Sequence, residues 1–505
     1  VIHPGQPVSG GPNDTSVGEI SVKTGNNTRN GGKNSLNRLI RCVCGKKIGP
    51  DPRNFNQRVS LGRHDLLIRT FLNIFVINIT YANFHNNENK IQNNTSSLEI
   101  LHYPNDKIGR VTNMKVYNFD KVISRDGTYS AKYNKKGRDI IPLSVADMDI
   151  PVADFIVSEL SVANQKGIYG YTLLSDDWQQ VAAQWYQRHY SWKVNPEHIV
   201  FCPRVVQAVS LFIQNFTQPG DAIVSLTPAY HPISHAVEVN HRVLLESALL
   251  YRDHHYEIDF ADLEDKFKMA CCFILISPHN PTGTIWSEDN LRKIASLAEK
   301  YNVFIISDDV HADFNFTQKQ HQTISSISSY VAQNSFICTS PAKTFNMAGL
   351  EVANIVIAND KYREQFKLAL IAAGIHNPGY FSVPAFLCAY RHGDSWLAAL
   401  KDYLVENRSW VQSFCQAHFP DWFVASGGGT YMLWIDYRAM NISEEQLRHW
   451  FVSLAGVEMS WGSDFGDEGL GFFRVNIATP RSNLTQAFER IYQSIPFTTG
   501  VSLHE

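Results

Sequence analysis

Three short loops in the second half of the chain carry side chains that could do chemistry together. The first is Ser277-Pro278-His279-Asn280-Pro281-Thr282-Gly283, where two prolines and a glycine enforce a tight turn. An Asn-Pro bond also has an appreciable tendency to be cis. The second is Ser307-Asp308-Asp309-Val310-His311, two carboxylates and an imidazole directly after the apolar run Phe304–Ile306. The third is Thr339-Ser340-Pro341-Ala342-Lys343-Thr344-Phe345-Asn346, which places an amine and a hydroxyl after the run Phe336–Cys338. Carboxylate, imidazole and amine groups can exchange protons, and an amine whose pKa is lowered by its surroundings can act as a base or a nucleophile. Taken singly, each loop has an ordinary explanation: a tight turn, a helix cap, a solvated lysine. Their order and spacing together set them apart.

The elements around these loops decide where the side chains can meet. From about residue 153 the chain alternates amphipathic helices with short apolar runs. Residues 153–165, 177–190 and 205–215 carry helical periodicity. The runs Ala222–Leu226, Cys271–Ile276 and Val303–Ser307 are short, apolar and each followed by a loop. Between the last two, Ser287–Tyr301 reads as a helix with Ser287 as its N-cap and Glu288 and Asp289 in its first turn. Strand–helix–strand order with continuously apolar strands predicts a parallel sheet buried on both faces. In such sheets ligands bind beyond the C-terminal ends of the strands, where the three loops lie. After about residue 395 the pattern changes to longer helices with strands at Tyr431–Tyr437 and Gly471–Asn476. The expected class is α/β. It has a large domain over residues 156–394, a smaller α+β C-terminal domain over 395–505, and a segment 114–155 that contributes to the small domain.

Bulk properties narrow the function. A chain of 505 residues is long enough for two domains with a large core. Its 44% hydrophobic and 18% charged residues are ordinary for a globular protein. A net charge of −3 draws it toward neither nucleic acid nor a membrane, and no helix-turn-helix or basic patch argues for direct DNA binding. Cys202, Cys271, Cys272 and Cys338 lie in apolar strand-like runs and are expected to be buried free thiols. That favours a reduced, cytoplasmic setting over a disulfide framework. Cys42-x-Cys44 lacks a second ligand pair, so no metal site is expected.

Residues 1–113 differ in character, being rich in Asn, Gly and Ser without sustained periodicity. Their one strongly apolar stretch, Leu66–Tyr81, is interrupted by Arg69 and several Asn and Thr residues. It falls short of the roughly 20 apolar residues of a membrane span, and a signal peptide would lie nearer the start. The first methionine is Met114. Residues 1–113 are expected to be upstream translated sequence or an extension, mostly disordered, with the natural start at Met114.

In order, SPHNPTG, ISDDVH, SPAKTFN and FFRVN resemble the motifs of the aminotransferase class I/II superfamily of fold-type I pyridoxal 5'-phosphate (PLP) enzymes. Within it the sequence looks most like the MalY/PatB group of cystathionine β-lyase-like C–S lyases, a likeness supported by LSVADMDIPV, YGYT and TPAY. The resemblance runs from about Met114 to about Ile495. It implies a large domain with a mostly parallel, seven-stranded type of sheet, and roles for particular residues. Lys343 would hold PLP as a Schiff base and, once released by substrate, take the Cα proton. Asp308 would pair with the pyridine nitrogen, Asn280 would bond the ring 3'-oxygen, and Tyr230 would stack on the ring. Ser340 and the backbone amides of Val205 and Val206, at a predicted helix start, would hold the phosphate. Arg474 would grip the substrate carboxylate through a bidentate fork. Tyr171 would reach the phosphate and substrate in a neighbouring subunit, which implies a homodimer. His311 stands where aminotransferases typically carry a tyrosine; the lyase group is similar to this chain in having histidine there, to bond the cofactor oxygen.

Two departures stand out. Ala342 replaces a second serine common in relatives. Glu351, eight residues after Lys343, stands where aminotransferases usually carry a phosphate-binding arginine. The lyase group also lacks that arginine. A carboxylate there would repel phosphate unless it is paired or points away. The implied reaction is α,β-elimination on a cysteine thioether, L-cystathionine above all, to give a thiol (homocysteine), pyruvate and ammonia. The alternatives are an aminotransferase, which shares the early steps, and a regulatory PLP-binding protein that acts through a protein partner.

Overall fold

Seven apolar strands assemble into one central sheet. They are β1 (Ile199–Cys202), β2 (Ala222–Thr227), β3 (Val243–Ala248), β4 (Ala270–Ile276), β5 (Phe304–Asp308), β6 (Ser335–Thr339) and β7 (Ala353–Val356). The computed structural model describes residues 117–496 except 126 and 135–138. The Leu66–Tyr81 stretch, Cys42, Cys44 and the expected extension at residues 1–113 lie outside the described residues. The strand order is β1-β7-β6-β5-β4-β2-β3. From β3 through β6 all neighbours pair parallel, while β7 runs antiparallel to both β6 and β1.

Side-chain alternation along a strand explains why both faces are covered. In β4, Phe273 and Leu275 join one buried cluster with Trp185, Ile305 and Phe345. Cys272, Ile274 and Ile276 join the other with Phe212, Ile233 and Phe336. A strand that is apolar on both faces must be covered on both, so helices line the two sides. Those used below are α1 (Asp154–Gln165), α2 (Trp178–Tyr190), α3 (Val205–Phe216), α4 (His231–Val239), α5 (Glu288–Tyr301), α6 (Pro341–Thr344) and α7 (Asp394–His418). The start of α5 follows from its sequence. The Ser287 hydroxyl accepts from the Asn290 N–H at 3.1 Å and the Asn290 side chain accepts from the Ser287 N–H at 3.2 Å. Such a cap contributes about 1 kcal/mol.

Cys202, Cys272 and Cys338 are buried, but Cys271 is only half-buried. It sits near the outer end of β4, where its thiol meets the Ala222 carbonyl at 3.5 Å. β3 gives little periodic signal because it is an edge strand and carries Glu246 and Ser247 among its apolar residues.

A second, antiparallel sheet follows α7, with β8 (Phe423–Val424), β9 (Met432–Asp436), β10 (Ser460–Trp461) and β11 (Phe472–Asn476) in the order β8-β9-β11-β10. The early segment Ile141–Pro142 pairs parallel with Val457–Glu458. The Asn476 N–H then donates to the Leu143 carbonyl at 2.8 Å. This pairing carries Ser144 and Ala146 to the end of β11. All of these residues belong to one compact unit, Ile108–Glu505.

Candidate active site

The three loops converge beyond the C-terminal ends of β4, β5 and β6. Lys343 is presented by α6, a single turn. The Ser340 hydroxyl caps it by accepting from the Ala342 N–H at 3.0 Å, and Pro341 opens it with its fixed φ. The half-buried Lys343 amine donates to the Ala146 carbonyl at 2.6 Å, which also accepts from the Tyr431 hydroxyl at 3.1 Å. Burial, then the neighbouring Arg474, push the lysine down to about 8, against the pull of Asp147 and Asp308. Next along the turn, the Thr344 hydroxyl donates to Asp313 at 2.6 Å. The other Asp313 oxygen accepts from Tyr190 at 2.8 Å and Trp185 at 3.2 Å. A buried carboxylate thus ties the lysine turn to α2.

The two adjacent carboxylates after β5 are not equivalent. Asp309 accepts from His321 at 2.8 Å, from Thr323 at 3.1 Å and from the Ser307 hydroxyl. Asp308, 6% exposed, accepts from the Val310 N–H at 3.3 Å and faces the lysine. Burial first, and then the neighbouring Asp309, push the Asp308 carboxyl up to about 7, opposed by the Val310 amide and Lys343. It is a buried acid short of a cation. This has a consequence for stability. A folded-state pKa raised from the carboxylate range to about 7 gives stability that is present below about pH 4 and lost as pH rises through about 7. In the cofactor-free protein, Asp308→Asn is expected to raise Tm at pH 8, by on the order of 2 kcal/mol of stability, with little change near pH 4. Calorimetry at the two pH values checks it; equal shifts at both would contradict it.

His311 is 2% exposed, and its Nδ1 has no hydrogen-bond partner among the described residues. Burial, then Lys343 and Arg474, hold it well below 6.5, so it is a neutral imidazole at neutral pH. Its ring lies edge-on to Tyr431 at 5.5 Å.

Arg474 projects from β11. Its guanidinium donates to the Asn280 side-chain oxygen at 2.8 Å, to Ser460 at 3.0 Å and to the Ser144 carbonyl at 3.2 Å. It also lies 4.8 Å over the Phe465 ring, and its Nε has no hydrogen-bond partner among the described residues. Burial pushes it down to about 10, still fully charged at neutral pH. A cavity of about 320 Å³ opens beside it, lined by Tyr230, His231, Pro232, Ser460, Asp464, Phe465 and Arg474. Tyr230, at the start of α4, is half-buried; burial and then Asp308 push its hydroxyl up, opposed by Arg474.

Lys343, Asp308, His311, Asn280, Arg474 and Tyr230 are therefore one cluster. Val205 and Val206 start α3, whose N-cap residue Arg204 makes no side-chain bond to the first-turn amides. The Ser340 hydroxyl, besides capping α6, donates to the Val352 carbonyl at 2.5 Å. Tyr171 is fully exposed and stands apart from the cluster within this chain. Sequence reasoning missed Ser144, Ala146, Tyr431, Ser460, Phe465 and Asp313. The motif LSVADMDIPV was a signal for the first two, but nothing local marked them as neighbours of Lys343.

Comparison with known proteins agrees with this geometry. The family model for aminotransferase class I and II matches residues 138–491. Cystathionine beta-lyase PatB of Bacillus subtilis (strain 168) is 35% identical over 74% of this chain and 98% of its own length. Protein MalY of Escherichia coli (strain K12) is 30% identical over 75% of this chain and 99% of its own. The crystal structure of cystalysin from Treponema denticola, which contains pyridoxal 5'-phosphate, superposes with a TM-score of 0.73 at 30% identity, covering 75% of this chain and 99% of that one. The donor set here fits that cofactor. A buried carboxylate short of a cation, an amine of depressed pKa, an imidazole nitrogen unpartnered among the described residues and an uncapped helix start are matched in chemistry to a ring nitrogen, an aldehyde, a ring oxygen and a phosphate. The chain belongs to the aminotransferase class I and II family and, within it, to the group that contains PatB and MalY.

Proposed function

We propose that the protein is a PLP-dependent carbon–sulfur β-lyase that cleaves cysteine thioethers, with L-cystathionine as the leading substrate. The observation that carries this reading is the cluster of the half-buried Lys343 with the buried Asp308 and Arg474, in a chain 35% identical to a cystathionine β-lyase. When bound, PLP supplies an electron sink for the negative charge that develops at Cα.

The protein's own residues do the rest. Lys343 anchors the cofactor and, with its pKa near 8, can take the Cα proton at neutral pH and pass it on. Asp308 is matched to a protonated ring nitrogen, and that cation would in turn return it to the ionised state. The neutral His311 has one ring nitrogen free for a ring oxygen. Tyr230 offers a ring face beside the cavity. Asn280, already bonded to Arg474 at 2.8 Å, couples the cofactor site to the carboxylate grip. The Val205 and Val206 amides would hold the phosphate, joined by Ser340 once its hydroxyl turns from the Val352 carbonyl. Arg474 orients the substrate, so that the Cα–H bond and then the Cβ–S bond can break, with electron flow from Cα toward sulfur. The Cα–H electrons form the Cα–Cβ double bond and the sulfur leaves as thiolate. Hydrolysis of the resulting enamine gives pyruvate and ammonia.

We further infer a homodimer in which Tyr171 reaches the second copy's site as a phosphate and substrate contact. Its full exposure, beside the exposed Ile168, Tyr169 and Leu173, supports this; a monomer in sedimentation would contradict it. A cytoplasmic location accords with the free cysteines among the described residues. No helix among those residues is long and apolar enough to cross a membrane. A panel of cysteine thioethers tests the reading. Free thiol should appear with each accepted substrate, fastest with L-cystathionine, and no thiol from any of them would sink it.

A further inference from the structure

The carboxylate of Glu351 has a partner, and strand register puts it there. β1 and β7 pair antiparallel with Cys202 opposite Ala353. Two residues beyond each lie Arg204 and Glu351, and their side chains form an ion pair, both exposed. Arg204 is also the N-cap residue of α3, where it leaves the first-turn amides without a side-chain cap. On the other side, the Ser340 hydroxyl reaches the carbonyl of Val352, the residue after Glu351, at 2.5 Å. Glu351 itself is held at φ +52°, in the left-handed region. Arg204, the α3 amides, Ser340 and Glu351 thus gather at one rim of the site, beside the turn that carries Lys343.

We propose that Arg204 supplies the phosphate-binding cation that position 351 lacks, and that Glu351 holds its guanidinium at the start of α3. The proposal rests on the PLP site described above. A guanidinium has five donors in a planar fork, so a single carboxylate leaves others for a phosphate oxygen. The positive end of the α3 dipole and its uncapped amides face the same anion. Without Arg204, the Glu351 carboxylate would meet the phosphate as a like charge. The pair accounts for how an acid is tolerated at this position.

The test titrates the cofactor-free full chain with PLP and, separately, with pyridoxal, which lacks the phosphate; binding is read from protein fluorescence. Arg204→Gln is expected to weaken PLP by about 10-fold or more, as for loss of a hydrogen bond between charged groups, and to leave pyridoxal unchanged. Adding Glu351→Gln to that variant should recover much of the PLP affinity, because the unpaired carboxylate is then gone. Arg204→Gln that leaves PLP binding unchanged would overturn the proposal. So would equal weakening of PLP and pyridoxal, which would mark Arg204 as merely structural. A wild-type chain that bound neither compound would overturn the cofactor site itself, and this inference with it.

Discussion

Lys343→Ala is expected to abolish turnover, together with the visible absorbance of the bound cofactor. Two functions are lost at once: the covalent anchor, and the amine that moves the Cα proton. The second alone is worth about 10²–10⁴-fold. The fold should survive. Thr344 still bonds Asp313 and Ser340 still caps the turn, and the substitution removes an amine whose charge burial already disfavours. Unchanged circular dichroism with no absorbance band and no product is the expected result. Measurable steady turnover would refute the assignment.

Arg474→Ala should have the next largest effect. Its guanidinium is buried and braced by Asn280, Ser460 and Ser144, with Phe465 beneath it. Removing one side of a buried charge pair with a substrate carboxylate costs about 2–5 kcal/mol, or roughly 30- to 4,000-fold in kcat/KM. The loss should fall mainly on KM, since the proton-transfer group is untouched. Arg474→Lys should recover only part of it, because an ammonium lacks the bidentate fork. Unchanged KM and kcat in the alanine variant would show that the carboxylate is held elsewhere.

Much of this site could be read from the chain because its chemistry lies at strand ends. The runs before Asp308 and Lys343 are apolar on both faces, which forces a doubly covered sheet and places the following loops at its C-terminal edge. What could not be read depends on pairing between distant segments. Ser144 and Ala146 reach Arg474 and Lys343 because Ile141–Pro142 adds beside Val457–Glu458, some three hundred residues away. A two-residue strand has no periodicity to detect. The partner of Glu351 was hidden for the same reason, since only the β1–β7 register brings Arg204 opposite it. Asp308 and Asp309 are indistinguishable as neighbours in sequence. Burial beside His321 and Thr323 satisfies one and leaves the other facing the lysine.

The central claim is elimination at a carbon–sulfur bond rather than transfer of an amino group, and product stoichiometry without any 2-oxo acid tests it most directly. Purified protein with PLP and L-cystathionine should release homocysteine, pyruvate and ammonia in equal amounts over many turnovers. Turnover that begins only when a 2-oxo acid is added, forming a new amino acid and releasing no thiol, would contradict it.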